Sequence, residues 1–302
     1  MFACASTPPE RDSPTHGSGD TLTPMRLPML VALVLTTALP AQQNPNTTPD
    51  APPQTAIPTD APLNPALPTL FLVGDSTARN KADLGWGDHL APLFDTTKIN
   101  IANRAAAGRS SRTYINEGRW TAVLAEMKAG DFVLIQMGHN DGGDLGGAKP
   151  RGTLKGIGDE SRDVPQTSGP LSGQIETVHT YGWYLRKYIA ETRAKKATPI
   201  LLTLTVRNIW TPGPDGRPRI ERDMGFRDFE YQAGAAEQVA VIDMATVAAD
   251  RWETLGPEKT ATYFPVDHTH TSAAGADLNA HAVVTAIRNA GSPLVAYLAG
   301  GL

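Results

Sequence analysis

From residue 68 onward, short apolar runs alternate with longer amphipathic segments. The runs are rich in Val, Ile and Leu and show little polar alternation, which is typical of strands buried on both faces of a parallel sheet. This pattern predicts strands at residues 69–73, 99–101, 132–135, 199–206 and 239–243.

The segments between these runs carry apolar residues at helical spacing. In the segment 118–129, Trp120 and Val123 share one face, and Gly130 supplies a good residue for the C-terminal end of a helix. Further helices are predicted at 178–197, 226–238, 245–255 and 272–289. Strands that alternate with helices in this way predict a three-layer α/β/α sandwich around a central parallel sheet.

The N-terminal part of the chain has a different composition. Residues 1–41 contain a polar extension and then, from Met25, a short apolar run followed by Ala-Leu-Pro-Ala, which predicts a secretory signal peptide that begins at Met25. Residues 42–67 are dominated by Pro, Thr, Asn and Ala and are predicted to be a linker. One domain, 68–302, remains, and we expect the protein to be secreted or periplasmic, without a stable membrane partner after signal cleavage.

Composition and charge limit the classes of function. The chain has 302 residues, of which 40% are hydrophobic, so it can bury a large core. Its formal net charge of −4 argues against a general nucleic-acid binder. The one cysteine, Cys4, precedes the predicted cleavage site, so the mature protein would contain neither a thiol nor a disulfide.

Four short polar motifs occur in order along the predicted domain, and three of them directly follow a predicted strand. They are Gly74-Asp75-Ser76-Thr77, the segment 103–110 (Asn-Arg-Ala-Ala-Ala-Gly-Arg-Ser), Gly138-His139-Asn140-Asp141 and Asp267-His268-Thr269-His270. Ser76, Gly108 and Asn140 follow one another at intervals of 32 residues, close to the roughly 30 residues of one strand–helix–strand unit. Such units deliver successive loops to one edge of the sheet, so these motifs are expected to meet in space.

Together the motifs hold the residue types that acyl transfer through a serine ester requires. A serine hydroxyl needs a base such as imidazole, and a carboxylate on the other ring nitrogen fixes the tautomer and stabilises the positive charge that develops. Asp267 precedes His270 by three residues, which lets one short turn present both side chains. Asn140 and Gly108 can supply donors for the oxyanion, and this chemistry requires no cofactor.

The four ordered motifs resemble the signature blocks of the SGNH, or GDSL-like, hydrolases. The sequences of the second and fourth motifs are most similar to those of the rhamnogalacturonan acetylesterase branch. The resemblance covers about residues 68–298 and implies a flavodoxin-like fold. It implies Ser76 as nucleophile, His270 as general base and Asp267 as the residue that orients it. It also implies an oxyanion hole formed by the backbone N–H groups of Ser76 and Gly108 and by the Asn140 side chain. The expected substrate is an acetylated plant cell-wall polysaccharide, with rhamnogalacturonan or a related pectin favoured.

Two other classes of function stay open at this point. His and Asp in the last two motifs can also hold metal ions for phosphoester hydrolysis, but no histidine lies near the first motif, and the third has His and Asn in the opposite order to that of metallophosphoesterases. We therefore expect no metal. A non-catalytic glycan-binding module on the same fold is disfavoured because every catalytic position is filled.

Two long loops are candidates for substrate contact. Residues 142–173 are rich in Gly, Pro and charge, and residues 207–222 carry several arginines. Long loops at the active edge usually shape the substrate groove, and arginines there suit a uronate polymer through carboxylate contacts; solvated loop charge is an equally good interpretation. The predicted substrate-binding residues are Trp86, Arg207, Trp210, Arg217 and Arg219.

Overall fold

A computed structural model of the chain describes residues 62–81 and 83–300. The predicted extension and signal peptide at 1–41 and the linker residues 42–61 lie outside the described residues. Across the described ranges, no helix combines the length and the apolar character that crossing a membrane requires.

The described part of the chain alternates strands and helices, as the apolar pattern predicts. The strands are β1 (Thr69–Gly74), β2 (Asn100–Asn103), β3 (Phe132–Gln136), β4 (Ser161–Pro165), β5 (Ile175–His179), β6 (Thr198–Leu202), β7 (Trp210–Pro212), β8 (Pro218–Ile220) and β9 (Val241–Ile242). The α-helices are α1 (Ser111–Asn116), α2 (Arg119–Glu126), α3 (Tyr181–Ala194), α4 (Arg227–Glu237), α5 (Met244–Leu255), α6 (Pro257–Ala261) and α7 (Ala273–Asn289).

Five of these strands form one parallel sheet in the order β2-β1-β3-β6-β9. The first strand has a neighbour on each side: Leu70 pairs with Ile101 of β2 on one side and with Phe132 of β3 on the other. The chain leaves β1 in one direction to reach β2 and then returns past it to β3. The carboxyl end of β1 is therefore a topological switch point, where ligands bind in open α/β sheets.

Helices cover both faces of the sheet. Because side chains alternate along a strand, Phe71 and Val73 point to one face and pack in a cluster with residues of α2 and α3, including Trp120 and Tyr188. Leu70 and Leu72 point to the other face and pack with residues of α7. The predicted three-layer α/β/α sandwich with a central parallel sheet is confirmed.

The helix boundaries follow from local capping. Ser110 caps α1 in a capping box with Thr113, and Thr180 caps α3 by accepting a hydrogen bond from the backbone N–H of Trp183. Asp243 caps α5 and Ser272 caps α7 in the same way. The last of these caps places His270 three residues before a helix of 17 residues, close to the helix predicted at 272–289.

Some boundaries differ from the predictions. The helix predicted at 178–197 begins only at Tyr181, because residues 175–179 pair as strand β5 with β4. The strand predicted at 199–206 ends at Leu202, and the residues after it form a buried loop below the site. The loops at 142–173 and 207–222 each contain strand segments, β4 in the first and the β7–β8 hairpin in the second.

Candidate active site

Ser76 lies in a tight turn directly after strand β1. The turn is held by Asp75, whose side chain accepts a hydrogen bond from the backbone N–H of Thr77 (2.8 Å), as Asx turns do. Gly74 lets the turn approach β3, since a Cβ there would lie 3.1 Å from the carbonyl oxygen of Gln136. Ser76 is thereby fixed at the switch point of the sheet.

His270 and Asp267 reach Ser76 from the loop that precedes α7. The Nε2 atom of His270 lies 2.9 Å from the Ser76 Oγ, and its Nδ1 lies 2.7 Å from Asp267 Oδ2. A carboxylate only accepts hydrogen bonds, so Nδ1 carries the proton and Nε2 is the acceptor for the serine hydroxyl. The predicted three residues are thus brought together in the order that serine activation requires.

Backbone donors keep the Asp267 carboxylate ionised and oriented. Asp267 Oδ1 accepts from the backbone N–H groups of Thr269 (2.6 Å) and His270 (2.8 Å). Burial opposes the charge, but the hydrogen bonds from His270 and Thr269 prevail and lower the pKa of Asp267 to about 2. The carboxylate is therefore ionised at neutral pH.

The second and third motifs meet on the other side of the serine turn. Asn140 is buried, and its Nδ2 donates to the backbone carbonyl of Arg109 (2.9 Å), next to Gly108. Gly108 has φ of 78°, a conformation that favours glycine. The contact joins the two predicted oxyanion-hole residues, Gly108 and Asn140, into one structural unit.

Asp141 anchors this unit to the start of helix α1. Its carboxyl group accepts from the backbone N–H of Ser111 (3.2 Å) and from the Ser111 hydroxyl. Burial raises the pKa of Asp141 to about 7, even though the Ser111 hydrogen bonds act in the opposite direction.

A cation that sequence reasoning missed fixes the orientation of Asn140. Arg151 Nη1 donates to Asn140 Oδ1 (3.0 Å), so the side-chain oxygen is engaged while Nδ2 faces the Gly108 segment. The only signal in the sequence was the position of Arg151 within the charged, Gly-rich loop that follows the Gly-His-Asn-Asp motif. A loop of this length does not reveal which of its cations reaches the site.

The prediction that Arg207 contacts substrate is wrong. Its side chain is fully buried, and its Nη2 donates to the backbone carbonyl of His139 (3.2 Å). Burial lowers the pKa of Arg207 to about 10, although the charges of Asp75 and Asp267 oppose the shift. Arg207 is a structural cation beneath the serine and histidine turns, out of reach of a polymer.

Trp86 is also buried rather than exposed to a ligand. It is 1% exposed, packs in the cluster on the α7 face of the sheet, and donates from Nε1 to Gln136 Oε1 (3.0 Å). Trp86 is therefore a core residue, and the prediction that it binds substrate is wrong.

The other three predicted substrate-binding residues lie together in one groove. Trp210, Arg217 and Arg219 line a groove of about 490 Å³ on the β7–β8 hairpin, and none of the candidate catalytic or oxyanion residues lines it. Arg219 forms ion pairs with Asp215 (2.8 Å) and Glu253 (3.2 Å). Contact of these residues with substrate stays a prediction.

Among residues 62–81 and 83–300, no group of three or more His, Cys, Asp or Glu side chains is arranged to hold a metal ion.

Comparison with known proteins agrees with the motifs. Residues 72–278 match the model of the GDSL-like lipase/acylhydrolase family. The chain is 33% identical to a rhamnogalacturonan acetylesterase of Emericella nidulans, over 72% of this chain and 84% of that protein. It is 32% identical to the probable rhamnogalacturonan acetylesterase YesY of Bacillus subtilis, over 74% of this chain and 94% of that protein.

Solved structures show the same fold. The Bacillus subtilis protein YxiM superposes with a TM-score of 0.58 at 24% identity, covering 75% of this chain, which spans 57% of the YxiM chain. The acetyl xylan esterase AlAXEase superposes with a TM-score of 0.50 at 13% identity, covering 72% of this chain and 99% of that one. With its ordered motifs, its fold and these relatives, the chain belongs to the GDSL-like lipase/acylhydrolase family and is an ester hydrolase.

Proposed function

We propose that the protein is a secreted carbohydrate esterase that removes acetyl groups from plant cell-wall polysaccharide, with rhamnogalacturonan or a related pectin as substrate. The observation that carries the chemistry is the chain of contacts from Asp267 through His270 to Ser76. The substrate class is supported by the relatives at 32–33% identity, which are named as rhamnogalacturonan acetylesterases.

Acylation follows from the positions of the three side chains. Ser76 Oγ attacks the acetyl carbonyl carbon while its proton passes to Nε2 of His270, 2.9 Å away. The Asp267 carboxylate stabilises the imidazolium that results and does not itself take the proton. When the tetrahedral intermediate collapses, the same proton goes from Nε2 to the departing sugar oxygen, which leaves an acetyl ester on Ser76.

Deacylation repeats these steps with water as the nucleophile. His270 removes a proton from the water as it attacks the acetyl-enzyme, and returns that proton to Ser76 Oγ as acetate departs. In both steps negative charge develops on the former carbonyl oxygen. We assign its stabilisation to the backbone N–H groups of Ser76 and Gly108 and to Nδ2 of Asn140. One such side-chain donor lowers the barrier by roughly 3 to 4 kcal/mol in other serine hydrolases.

The function is tested by acetate release from a panel of acetylated pectins and xylans. We expect wild-type protein to release acetate, and Ser76→Ala to lower kcat by a factor on the order of 10⁴ to 10⁶ without loss of the fold. Rapid acid quenching followed by mass spectrometry should detect an acetyl group on the peptide that contains Ser76. Comparable turnover in folded Ser76→Ala protein would exclude the serine mechanism.

Secretion is the second part of the proposal. It is supported by the apolar run 27–39 and the Ala-Leu-Pro-Ala sequence that ends at Ala41. The N-terminal sequence of protein recovered from the medium or periplasm of an expressing bacterium should begin close to Gln42. Recovery of uncleaved chain from the cytoplasm alone would argue against export.

A further inference from the structure

A cavity of about 280 Å³ lies beside the unit formed by Gly108 and Asn140. The proposed acyl transfer gives this cavity no role. One wall is the segment that runs from Gly108 into helix α1, and the other is the loop around Lys149 and Arg151. Gly108 lines the cavity, and Arg151, which also lines it, donates to Asn140. The cavity is therefore linked to both predicted oxyanion-hole residues, to Gly108 directly and to Asn140 through Arg151.

The charges that line this cavity are mainly positive. Arg109, Lys149 and Arg151 are cationic, and Glu117 is the one anionic side chain among the lining residues, which leaves a net charge of two positive units. Glu117 is itself engaged, because its Oε2 accepts from Arg109 Nε and Arg119 Nε, each at 2.8 Å. A positive concave surface of this kind concentrates anionic ligands.

The loop wall of the cavity is held in place before any ligand binds. The buried guanidinium of Arg112 donates to the backbone carbonyls of Leu145 (3.1 Å) and Pro150 (2.5 Å), on either side of the segment that carries Lys149. On the far side of the loop, Ser168 Oγ donates to the carbonyl of Gly147 (2.7 Å). Binding then requires little ordering of the backbone, which favours affinity.

The electrostatic state of Arg151 also favours an anionic ligand. Burial lowers the pKa of Arg151, and the nearby charge of Arg109 lowers it further, against the attraction of Asp75. Burial and the charge of Arg109 thus disfavour the charged form of the Arg151 guanidinium in the folded protein. A carboxylate in the cavity would offset both effects through charge-assisted hydrogen bonds.

We propose that this cavity is a subsite for the carboxylate of a uronic acid unit that neighbours the acetylated sugar. This inference rests on the proposed function, because it takes an acetyl group held at Ser76 as the fixed point of the substrate. Lys149 and Arg109 contribute positive charge, and Arg151 connects the subsite to Asn140. The hydroxyl groups of Thr113 and Ser168 line the same cavity and suit the hydroxyls of a sugar ring.

The groove on the β7–β8 hairpin provides the internal comparison. Its lining includes two cations, Arg217 and Arg219, and two anions, Asp250 and Glu253, so its charges cancel. Arg217 is nevertheless highly exposed, with 80% of its side chain accessible to solvent. Lys149 is likewise an exposed cation, so Arg217→Gln tests this groove as the alternative place for the carboxylate.

The test varies the charge of the enzyme and of the substrate together. Acetate release is measured for wild-type, Lys149→Gln, Lys149→Glu and Arg217→Gln proteins on acetylated rhamnogalacturonan oligosaccharides and on the same oligosaccharides after methyl esterification of their carboxylates. Acetylated xylo-oligosaccharides and p-nitrophenyl acetate serve as neutral substrates. We expect Lys149→Gln to raise KM on the acidic substrate about 2- to 5-fold, as for loss of one exposed ion pair. Lys149→Glu should raise it further, and both effects should shrink in 1 M salt, where the Debye length falls to about 3 Å.

The outcomes separate this inference from the proposed function. Activity of both Lys149 variants on the methyl-esterified and neutral substrates should equal that of wild type, and on the acidic substrate Arg217→Gln should raise KM less than Lys149→Gln does. A Lys149 effect that persists after methyl esterification, or an acidic-substrate penalty confined to Arg217→Gln, would overturn the subsite. If wild type releases acetate from every substrate with a KM independent of charge, the subsite alone fails. If it releases acetate from none, the proposed function itself fails.

Discussion

Replacement of Asp267 by Asn is expected to disable the site although the two side chains have the same shape. In the structure, Asp267 Oδ1 accepts from two backbone N–H groups, those of Thr269 and His270, while Oδ2 faces Nδ1 of His270. The two backbone donors require an oxygen, so the Asn carbonyl takes the Oδ1 position and its NH₂ group turns towards the imidazole. The NH₂ group donates, so Nδ1 must accept, and the ring proton moves to Nε2. An Nε2 atom that carries a proton cannot accept the one from Ser76.

Two effects contribute to the size of the loss. The shift in the pKa of Asp267 from 3.8 to about 2 corresponds to at most roughly 2.4 kcal/mol at 1.36 kcal/mol per unit, and to less once solvent screening is allowed for. Loss of the charge also removes the stabilisation of the imidazolium that forms during the reaction. The wrong tautomer adds to this, and the same substitution in another serine hydrolase lowers kcat by about 10⁴. We expect a loss of about 10⁴ in kcat with a small change in KM.

The assay combines kinetics with a direct view of the imidazole. The kcat on p-nitrophenyl acetate measures the loss, and ¹⁵N chemical shifts of the His270 ring show which nitrogen carries the proton. Asp267→Ala is the control, because it removes the charge without adding a donor. Asp267→Asn should lose at least as much activity as Asp267→Ala and should show the proton on Nε2. Retention of the Nδ1–H tautomer in folded Asp267→Asn, or a kcat within tenfold of wild type, would refute the reasoning.

Two further predictions concern the oxyanion-hole unit. Asn140→Ala should lower kcat on p-nitrophenyl acetate by about 10² to 10³ with little change in KM, because the amide acts on charge that develops only in the transition state; a change confined to KM would contradict the assignment. Asp141→Asn should alter the pH dependence of stability, because the pKa of Asp141 is raised from 3.8 to about 7 in the folded protein. Wild-type stability from this group is present below about pH 4 and is lost as the pH rises to about 7, since the unfolded chain ionises first. In urea unfolding, the free energy of unfolding of Asp141→Asn should therefore rise relative to that of wild type between about pH 4 and pH 8. A difference between the two proteins that is independent of pH would count against the shifted pKa.

The sequence predicted the central sheet well because its strands are locally distinctive. The apolar runs that became β1 and β3 need no partner to be recognised, and the polar motifs directly after them had to meet at one edge of a parallel sheet. The boundary at Tyr181 was missed because apolar residues at helical spacing continue upstream of it. Val178 is buried in a strand instead, and this depends on pairing with β4 across a long loop.

The errors on substrate-binding residues arose from long-range contacts. Arg207 was taken for a surface cation because arginine is rarely buried, but the carbonyl of His139 and the charges of Asp75 and Asp267 stabilise it in the interior. Trp86 is buried because Gln136, on a different strand, supplies the acceptor for its indole N–H. Neither partner lies near its residue in the sequence.

The two residues of the proposed proton-transfer pair lie 194 residues apart, one directly after the first strand of the sheet and the other just before helix α7. A nascent chain therefore possesses the serine long before it possesses the base, and the imidazole reaches that serine only when α7 has docked. No fragment that ends before Asp267 can hydrolyse an ester by this route. Under the proposed mechanism, catalytic activity consequently reports completion of the whole domain.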